Sequence, residues 1–128
     1  MSRVTVVGGG LVGLATALRL ADAGHAVTLM DPSPASGATH HAGGMLAPVA
    51  EVVYRQEDLF PLMLRSAELY PGLMGVVEKH TDLPTGYRTE GTLVVAADRA
   101  DSTHLSELSD YQSTHGMDVE RLPLRQAR

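Results

Sequence analysis

The stretch Val-Thr-Val-Val-Gly-Gly-Gly-Leu-Val-Gly, residues 4–13, decides the fold of this chain. It begins as an apolar run rich in β-branched residues, which is typical of a buried parallel strand. It then places Gly8, Gly10 and Gly13 in the Gly-x-Gly-x-x-Gly spacing. Gly8 permits a tight turn, Gly10 leaves room for a pyrophosphate, and Gly13 lets the following helix lie close to the strand. The unpaired N–H groups of the first helical turn attract phosphate.

The residues after this loop complete a β-α-β pattern. Apolar residues recur over 11–21 as one face of a helix, and Gly24 stands where that helix should stop. Residues 26–30 form a second apolar strand, which Asp31 ends. A carboxylate there accepts hydrogen bonds from ribose hydroxyls and repels a 2′-phosphate, so the pattern predicts a dinucleotide site. The alternative is a βαβ unit that binds no nucleotide. A P-loop is excluded because no Gly-Lys-Ser/Thr sequence follows.

Residues 32–52 are rich in small residues and poor in charge. A loop that only connects two elements is usually shorter and more polar, so this stretch is predicted to contact a ligand. The hydroxyls of Ser36 and Thr39 and the backbone at the glycines are the expected hydrogen-bonding groups. A short helix should begin near Gly37 with its N-terminus facing phosphate. The alternative is a flexible linker made of small residues.

The rest of the chain predicts a mixture of helices and strands. Apolar residues recur at helical spacing from residue 59 to 77, and Pro71 should kink or split this helix because an internal proline costs about 3 kcal/mol. Asp98 is a candidate N-cap for a polar helix. The predicted buried side of that helix comprises Leu105, Leu108 and Tyr111. The expected elements are helices over 57–70, 72–82 and 98–115, strands over 87–89, 92–97 and 117–122, and the start of a helix over 123–128.

Composition excludes several classes of function. The chain has 128 residues and a net charge of −5, and its arginines are scattered, so no nucleic-acid partner is expected. It contains no cysteine, which removes disulfides, thiol nucleophiles and cysteine-bound metals. It shows neither a signal-peptide pattern nor an apolar run of about 20 residues, so we expect a cytoplasmic protein without a membrane partner.

Six histidines raise the question of a metal site. Only His40 and His41 are neighbours, and no pair has His-x-His or His-x3-His spacing, so no metal site is predicted. We expect His40 and His41 to be solvated loop residues, with an influence on a bound cofactor as the alternative. Arg55 and Arg88 carry the charge needed to bind a carboxylate, but surface ion pairs are the commoner role of such residues.

A second motif lies at residues 37–51, Gly-Ala-Thr-His-His-Ala-Gly-Gly-Met-Leu-Ala-Pro-Val-Ala-Glu. Together with the glycines of 8–13 and with Asp31, it resembles the D-amino-acid oxidase family of FAD-dependent oxidoreductases, and within that family the glycine oxidases of thiamine biosynthesis. Residues 90–93, Glu-Gly-Thr-Leu, resemble the family's strand after its long helix. The resemblance implies an α/β fold in which a Rossmann-like FAD-binding βαβ unit is followed by the beginning of an α+β substrate domain.

The resemblance also implies which residues hold FAD. The pyrophosphate would lie against the glycine loop and the first helical turn, and the adenosine ribose beside Asp31 and Pro32. The isoalloxazine ring would lie beside residues 43–45, with Met45 also bordering the substrate. The implied cofactor-binding residues are Gly8, Gly10, Leu11, Val12, Gly13, Asp31, Pro32, Ala38, Thr39, Gly43, Gly44 and Met45.

By resemblance, the reaction oxidises a small amino acid or amine to an imino acid, with O2 as the oxidant and H2O2 as a product. The flavin performs this chemistry, so no catalytic residue is implied in this chain. The resemblance covers nearly all of the chain but only about the first third of a family member. We therefore expect an N-terminal portion, with residues 1–52 from the FAD-binding domain and 53–128 beginning the substrate domain.

We expect the isolated 128-residue chain to be inactive, and its protein partner to be the missing C-terminal part or a second copy. Two alternatives stay open. One is a catalytically inactive, truncated nucleotide-binding fragment. The other is an NAD-dependent dehydrogenase domain, against which the small-residue loop argues.

Overall fold

The computed structural model describes residues 1–123, 125 and 126. They form two compact units, Met1–Met45 with Leu69–Tyr87, and Leu46–Glu68 with the chain from Arg88 onward. The predicted division at residue 52 into a cofactor domain and a substrate domain stays a prediction. The elements are strands β1 (Arg3–Val7) and β2 (Ala26–Met30), helices α1 (Leu11–Asp22), α2 (Ala38–His41), α3 (Phe60–Glu78) and α4 (Arg99–Thr114), and a 3-10 turn at Glu57–Leu59.

The first unit begins with the predicted β-α-β arrangement, which the structure confirms. β1 and β2 pair in parallel, with Val4 opposite Val27 and Val6 opposite Leu29. α1 connects the two strands, and Gly24 at φ +84° follows its end, as the sequence predicts. The short helix expected near Gly37 is α2.

The two strands are less buried than their sequences predict. In both strands the half-buried residues alternate with exposed ones, and Val7 and Met30 are exposed at the strand ends. The prediction of a buried strand is therefore wrong for the described residues. The sheet there has two strands, and a parallel strand becomes buried on both faces only when further strands and helices surround it.

The second unit has a small apolar core. Val52, Phe60 and Met117 are buried, and half-buried neighbours pack against them. α4 borders this core, and Asp98 caps it, because the Asp98 carboxylate accepts a hydrogen bond of 2.9 Å from the Asp101 N–H. The predicted N-cap is confirmed. The predicted buried side is only half-buried, and the buried residues of α4 are Ser109 and Gln112.

The predicted division of the long helix is wrong. α3 is continuous, with Pro71 inside it. Phe60 near its start and Val76 near its end are both buried. Burial of apolar residues on either side of the proline offsets the lost N–H bond, which is how tertiary packing overrides a local preference. Among the described residues, no helix has the length and apolar character needed to cross a membrane.

The strands predicted over 87–89, 92–97 and 117–122 are also wrong. None of these segments forms a strand in the described structure. Their residues have high strand propensity, but a strand exists only when a neighbour completes its hydrogen-bond ladder. The helix predicted over 123–128 falls partly on residues 124, 127 and 128, which lie outside the described residues.

Candidate functional site

The loop between β1 and α1 is built by glycines. Gly8 has φ +103°, a backbone conformation that side chains disfavour, and its N–H donates to the Met30 carbonyl across 2.9 Å. A Cβ atom on Gly13 would overlap the Gly8 carbonyl oxygen. The turn into α1 therefore requires glycine at residue 8 for its dihedral angle and at residue 13 for its close approach.

The N-terminus of α1 carries free hydrogen-bond donors. The Leu11 N–H donates to the Thr39 hydroxyl oxygen across 2.9 Å, which ties α2 to the start of α1. Within the described residues, the Val12 and Gly13 N–H groups have no hydrogen-bond partner. The first turn contains no acidic residue. Two free N–H groups at the positive end of the helix dipole, in a turn that contains no acidic residue, favour the binding of an anion.

Asp31 is held by the glycine loop. Its carboxylate accepts the Gly9 N–H at 2.6 Å and the Ser33 N–H at 2.7 Å, one on each oxygen. The two backbone bonds, first that of Gly9 and then that of Ser33, hold the pKa of Asp31 below its ordinary value of 3.8. Each oxygen keeps a second lone pair, so the ionised side chain can still accept hydrogen bonds from a ribose.

The close contacts around Gly9 were not predicted from the sequence. A Cβ atom on Gly9 would lie 3.0 Å from the Cβ atoms of both Asp31 and Pro34. The Gly9 carbonyl also accepts the Ala35 N–H at 2.9 Å, and Ala35 has φ 59°. The three consecutive glycines at 8–10 were the available signal, since the Gly-x-Gly-x-x-Gly spacing does not require glycine at residue 9.

The structure brings six of the twelve predicted cofactor-binding residues together. A concave site of about 570 Å³ is lined by the glycine loop, the first turn of α1 and Thr39. Asp31 is connected to this site because its carboxylate accepts the Gly9 N–H. Pro32 is the next residue after Asp31 in the chain. Ala38 begins α2. The predicted residues that line the concave site are Gly8, Gly10, Leu11, Val12, Gly13 and Thr39.

The predicted flavin-contacting residues lie apart from the phosphate site. Gly43, Gly44 and Met45 follow α2 in a loop that forms neither helix nor strand. Met45 is 73% exposed, and none of the three lines the concave site. His40 and His41 are exposed on α2 with their ring centroids 5.2 Å apart. A role for residues 43–45 beside the isoalloxazine ring stays a prediction.

Comparison with known proteins identifies the family. The family model described as FAD dependent oxidoreductase (DAO) matches residues 3–128. The chain belongs to the DAO family. This family binds FAD, so the alternatives of an NAD-dependent domain and of a βαβ unit unrelated to a nucleotide are not supported.

Relatives in the DAO family carry several names. The chain is 40% identical over 90 residues to the bifunctional protein ThiO/ThiG of Trichormus variabilis. It is 31% identical over 103 residues to the glycine oxidase of Geobacillus kaustophilus, and 30% identical over 107 residues to the uncharacterized oxidoreductase YurR of Bacillus subtilis. These matches cover 70%, 80% and 84% of the chain, but 14%, 27% and 28% of the respective relatives.

The residues present fit the cofactor of the DAO family. Gly10 has no side chain where a Cβ atom would lie 3.4 Å from the Thr39 hydroxyl oxygen, so the entrance to the helix N-terminus stays open. The free N–H groups of Val12 and Gly13 suit a pyrophosphate, and the Asp31 carboxylate suits a ribose. The described residues thus offer hydrogen-bonding groups that suit the pyrophosphate and a ribose of FAD.

Proposed function

We propose that this chain is part of an FAD-dependent oxidase that converts a small amino acid or amine to an imino acid and reduces O2 to H2O2. The observation that supports the proposal is that one loop connects two groups suited to a dinucleotide, a carboxylate and the free N–H groups of a helix N-terminus. The Gly9 N–H donates a hydrogen bond to the Asp31 carboxylate, while the free N–H groups of Val12 and Gly13 lie at the start of α1. A site with both a ribose acceptor and an anion-binding helix end fits a dinucleotide.

Each part of the site has a distinct task in this proposal. Val12 and Gly13 would donate hydrogen bonds to the pyrophosphate, and Thr39, whose oxygen already accepts the Leu11 N–H, still has its hydroxyl proton to donate. The ionised carboxylate of Asp31 would accept hydrogen bonds from the ribose hydroxyls. Bound FAD supplies the two-electron acceptor, and the protein sets its position and surroundings.

The choice of substrate rests on the names of the relatives. Proteins named glycine oxidase and ThiO/ThiG share 31% and 40% identity with this chain, which favours glycine or another small amine within the proposed activity. The ThiO name connects the proposal to thiamine biosynthesis. A cytoplasmic location remains part of the proposal. A relative named D-amino acid dehydrogenase 2, which is 47% identical over 47 residues, makes D-amino acids the second class to test.

Two measurements on the purified chain test this function. The first is the visible absorption spectrum after FAD is added and free FAD is removed by gel filtration. Retained flavin bands are expected, and a colourless protein would contradict the proposed site. The second is H2O2 formation with glycine, sarcosine, proline and D-alanine, measured on the chain and on any longer natural form of it. H2O2 formation with a small amine supports the oxidase. Flavin binding without turnover in every form would instead support a nucleotide-binding protein.

A further inference from the structure

One hydrogen bond attaches residues 37–45 to the rest of the first unit. Among the hydrogen bonds of the described residues, those of this segment are internal to it, with one exception. The exception joins the Leu11 N–H to the Thr39 hydroxyl oxygen across 2.9 Å. Thr39 is half-buried, whereas its two chain neighbours are exposed. The Thr39 side chain is therefore the polar attachment of this segment to the start of α1.

The Thr39 hydroxyl also lies beside the phosphate site. Thr39 lines the same concave site as the first turn of α1. A Cβ atom on Gly10 would lie 3.4 Å from the hydroxyl oxygen, so the absence of that atom leaves room for a ligand. Because the oxygen accepts the Leu11 N–H, the hydroxyl proton can be donated to an anion held by the N–H groups of Val12 and Gly13.

A hydroxyl that accepts one hydrogen bond and donates another makes each bond stronger. Donation by Thr39 to a charged phosphate oxygen would make the Thr39 oxygen a better acceptor for the Leu11 N–H. Binding of a pyrophosphate should therefore hold α2 more firmly against the start of α1.

The residues predicted to contact the flavin follow Thr39 closely in the chain. The chain leaves α2 at Ala42, whose backbone is extended and whose N–H donates to the Thr39 carbonyl across 3.4 Å. Gly43 lies four positions beyond Thr39, a length of chain that spans at most about 14 Å. Within the first unit, the Leu11–Thr39 hydrogen bond is thus the nearest attachment point for residues 43–45.

We infer that Thr39 is a positioning residue, which couples occupancy of the phosphate site to the placement of residues 43–45. This inference rests on the proposed function, in which residues 43–45 lie beside the isoalloxazine ring. The adenosine diphosphate part of FAD then has a second task, because its binding places the flavin-contacting residues as well as contributing affinity. A Thr39 that only contacted phosphate would give no such coupling.

The first test compares ADP with FAD by isothermal titration calorimetry on the 128-residue chain. Thr39→Val keeps the shape of the side chain and removes its hydroxyl. ADP binding should weaken about tenfold, because one hydrogen bond to a charged group is lost. FAD binding should weaken at least about 100-fold, because residues 43–45 also lose their position. Thr39→Ser retains the hydroxyl and should recover most of both affinities.

Thr81→Val is the matched control. Thr81 is a half-buried threonine of the same unit, and its hydroxyl oxygen accepts the Leu83 N–H across 3.1 Å. This variant therefore loses the same kind of hydrogen bond outside the concave site, and both affinities should stay at the parent values. Circular dichroism checks that every variant keeps the helix content of the parent.

The second test follows residues 42–45 directly by hydrogen exchange. Saturating ADP should slow the exchange of their N–H groups in the parent, although ADP carries no flavin for them to contact. In Thr39→Val, ADP at equal occupancy should protect the start of α1 but not residues 42–45. The measurement on the parent needs no variant, so it tests the coupling even if Thr39→Val does not fold.

Two results would overturn the inference. One is an equal loss of ADP and FAD affinity in Thr39→Val, which would make Thr39 a phosphate contact only. The other is exchange at residues 42–45 that ADP leaves unchanged in the parent. Both results differ from failure of the proposed function, in which the parent binds neither nucleotide and the inference fails with it.

Discussion

At the scale of single residues, α1 can lie close to the end of β1 because Gly13 has no side chain. Gly13 lies so close to the Gly8 carbonyl that a methyl group would overlap it, and the atom in the way belongs to the backbone. Backbone cannot move aside as a flexible side chain can, so relief would require α1 to shift away from the strand. The N–H groups of the anion-binding site would move with it.

Gly13→Ala should therefore destabilise the first unit by about 3 kcal/mol. It should also remove measurable FAD binding, because the donors of α1 lose their position. Urea unfolding and FAD fluorescence titration measure the two effects. Gly75→Ala is the matched control in the same unit, since a Cβ atom there meets nothing within 4 Å and the residue lies inside α3, where alanine is favoured. If both variants lose the same stability and the same FAD affinity, the close approach of Gly13 to the Gly8 carbonyl is not the cause.

Asp31→Asn should weaken FAD binding by about 10- to 100-fold, because hydrogen bonds to a charged acceptor are the stronger kind. The pKa of Asp31 is lowered by the Gly9 and Ser33 N–H groups. Its contribution is thus complete above the ordinary pKa of 3.8 and is lost as the pH falls through the lower folded value. FAD affinity of the parent should stay flat from about pH 5 to 8 as far as Asp31 is concerned. Asp22→Asn serves as the control, and a steep pH dependence that disappears in Asp31→Asn would refute the assignment.

At the scale of elements, α3 contains a proline in its interior, at Pro71, where no turn forms. Pro71 lacks an N–H group and lies inside the helix, whereas Pro61 lies in the first turn, where no N–H bond is lost. The two prolines of one helix therefore offer an internal comparison.

Pro71→Ala should stabilise the protein by about 1–3 kcal/mol, and Pro61→Ala should change stability by less than about 0.5 kcal/mol. Thermal unfolding followed by circular dichroism at 222 nm gives both values. If Pro71→Ala lowers the melting temperature, the proline makes a contact that compensates for the missing hydrogen bond.

The cap of α4 gives a second prediction at this scale. Asp98→Ala should cost about 1 kcal/mol, because the Asp101 N–H loses its acceptor. Asp98→Asn should retain most of the stability, since its amide oxygen can accept the same bond. The comparison is made by urea unfolding. Equal losses in the two variants would show that the charge of Asp98, rather than its capping bond, supports the helix.

At the scale of the whole molecule, distant parts of the sequence meet in the second unit. The Tyr111 hydroxyl donates to the Glu57 carboxylate at 2.6 Å, and Gln112 donates to the Val49 carbonyl at 2.7 Å. The ring of Tyr111 also packs against that of Tyr54, with centroids 4.5 Å apart and an angle of 45° between the ring planes. These contacts attach α4 to the segment that precedes α3.

The Tyr111–Glu57 bond predicts how stability depends on pH. Donation by Tyr111 is the main cause that lowers the pKa of Glu57 below 4.5, and the same bond raises the pKa of Tyr111 above 10.0. The carboxylate contribution is complete above pH 4.5 and is lost as the pH falls through the lowered pKa. The phenol contribution is complete below pH 10.0 and is lost as the pH rises through the raised pKa.

The melting temperature should therefore form a plateau between these limits, with an alkaline decline. Tyr111→Phe should lower the plateau and reduce the alkaline decline. Tyr87→Phe, in the other unit, should leave both unchanged. Melting curves by circular dichroism from pH 4 to 11 give the comparison. An unaltered alkaline decline in Tyr111→Phe would show that another group causes it.

The local features of the chain could be predicted from its sequence. The strand, the glycine loop, α1, the end at Gly24 and the carboxylate at Asp31 each follow from residues within a few positions of one another. The Asp98 cap is of the same kind. These features depend on backbone sterics and short-range hydrogen bonds, which the local sequence determines.

Only the tertiary structure decided the rest. Whether Pro71 would break α3 depended on burial at both ends of the helix, and whether residues 92–97 would form a strand depended on a partner that no local pattern reveals. The bonds from Gly9 to Asp31 and from Tyr111 to Glu57 join residues 22 and 54 positions apart. Such contacts are set by which surfaces meet when the chain folds, because their free energy belongs to the pair and not to either segment alone.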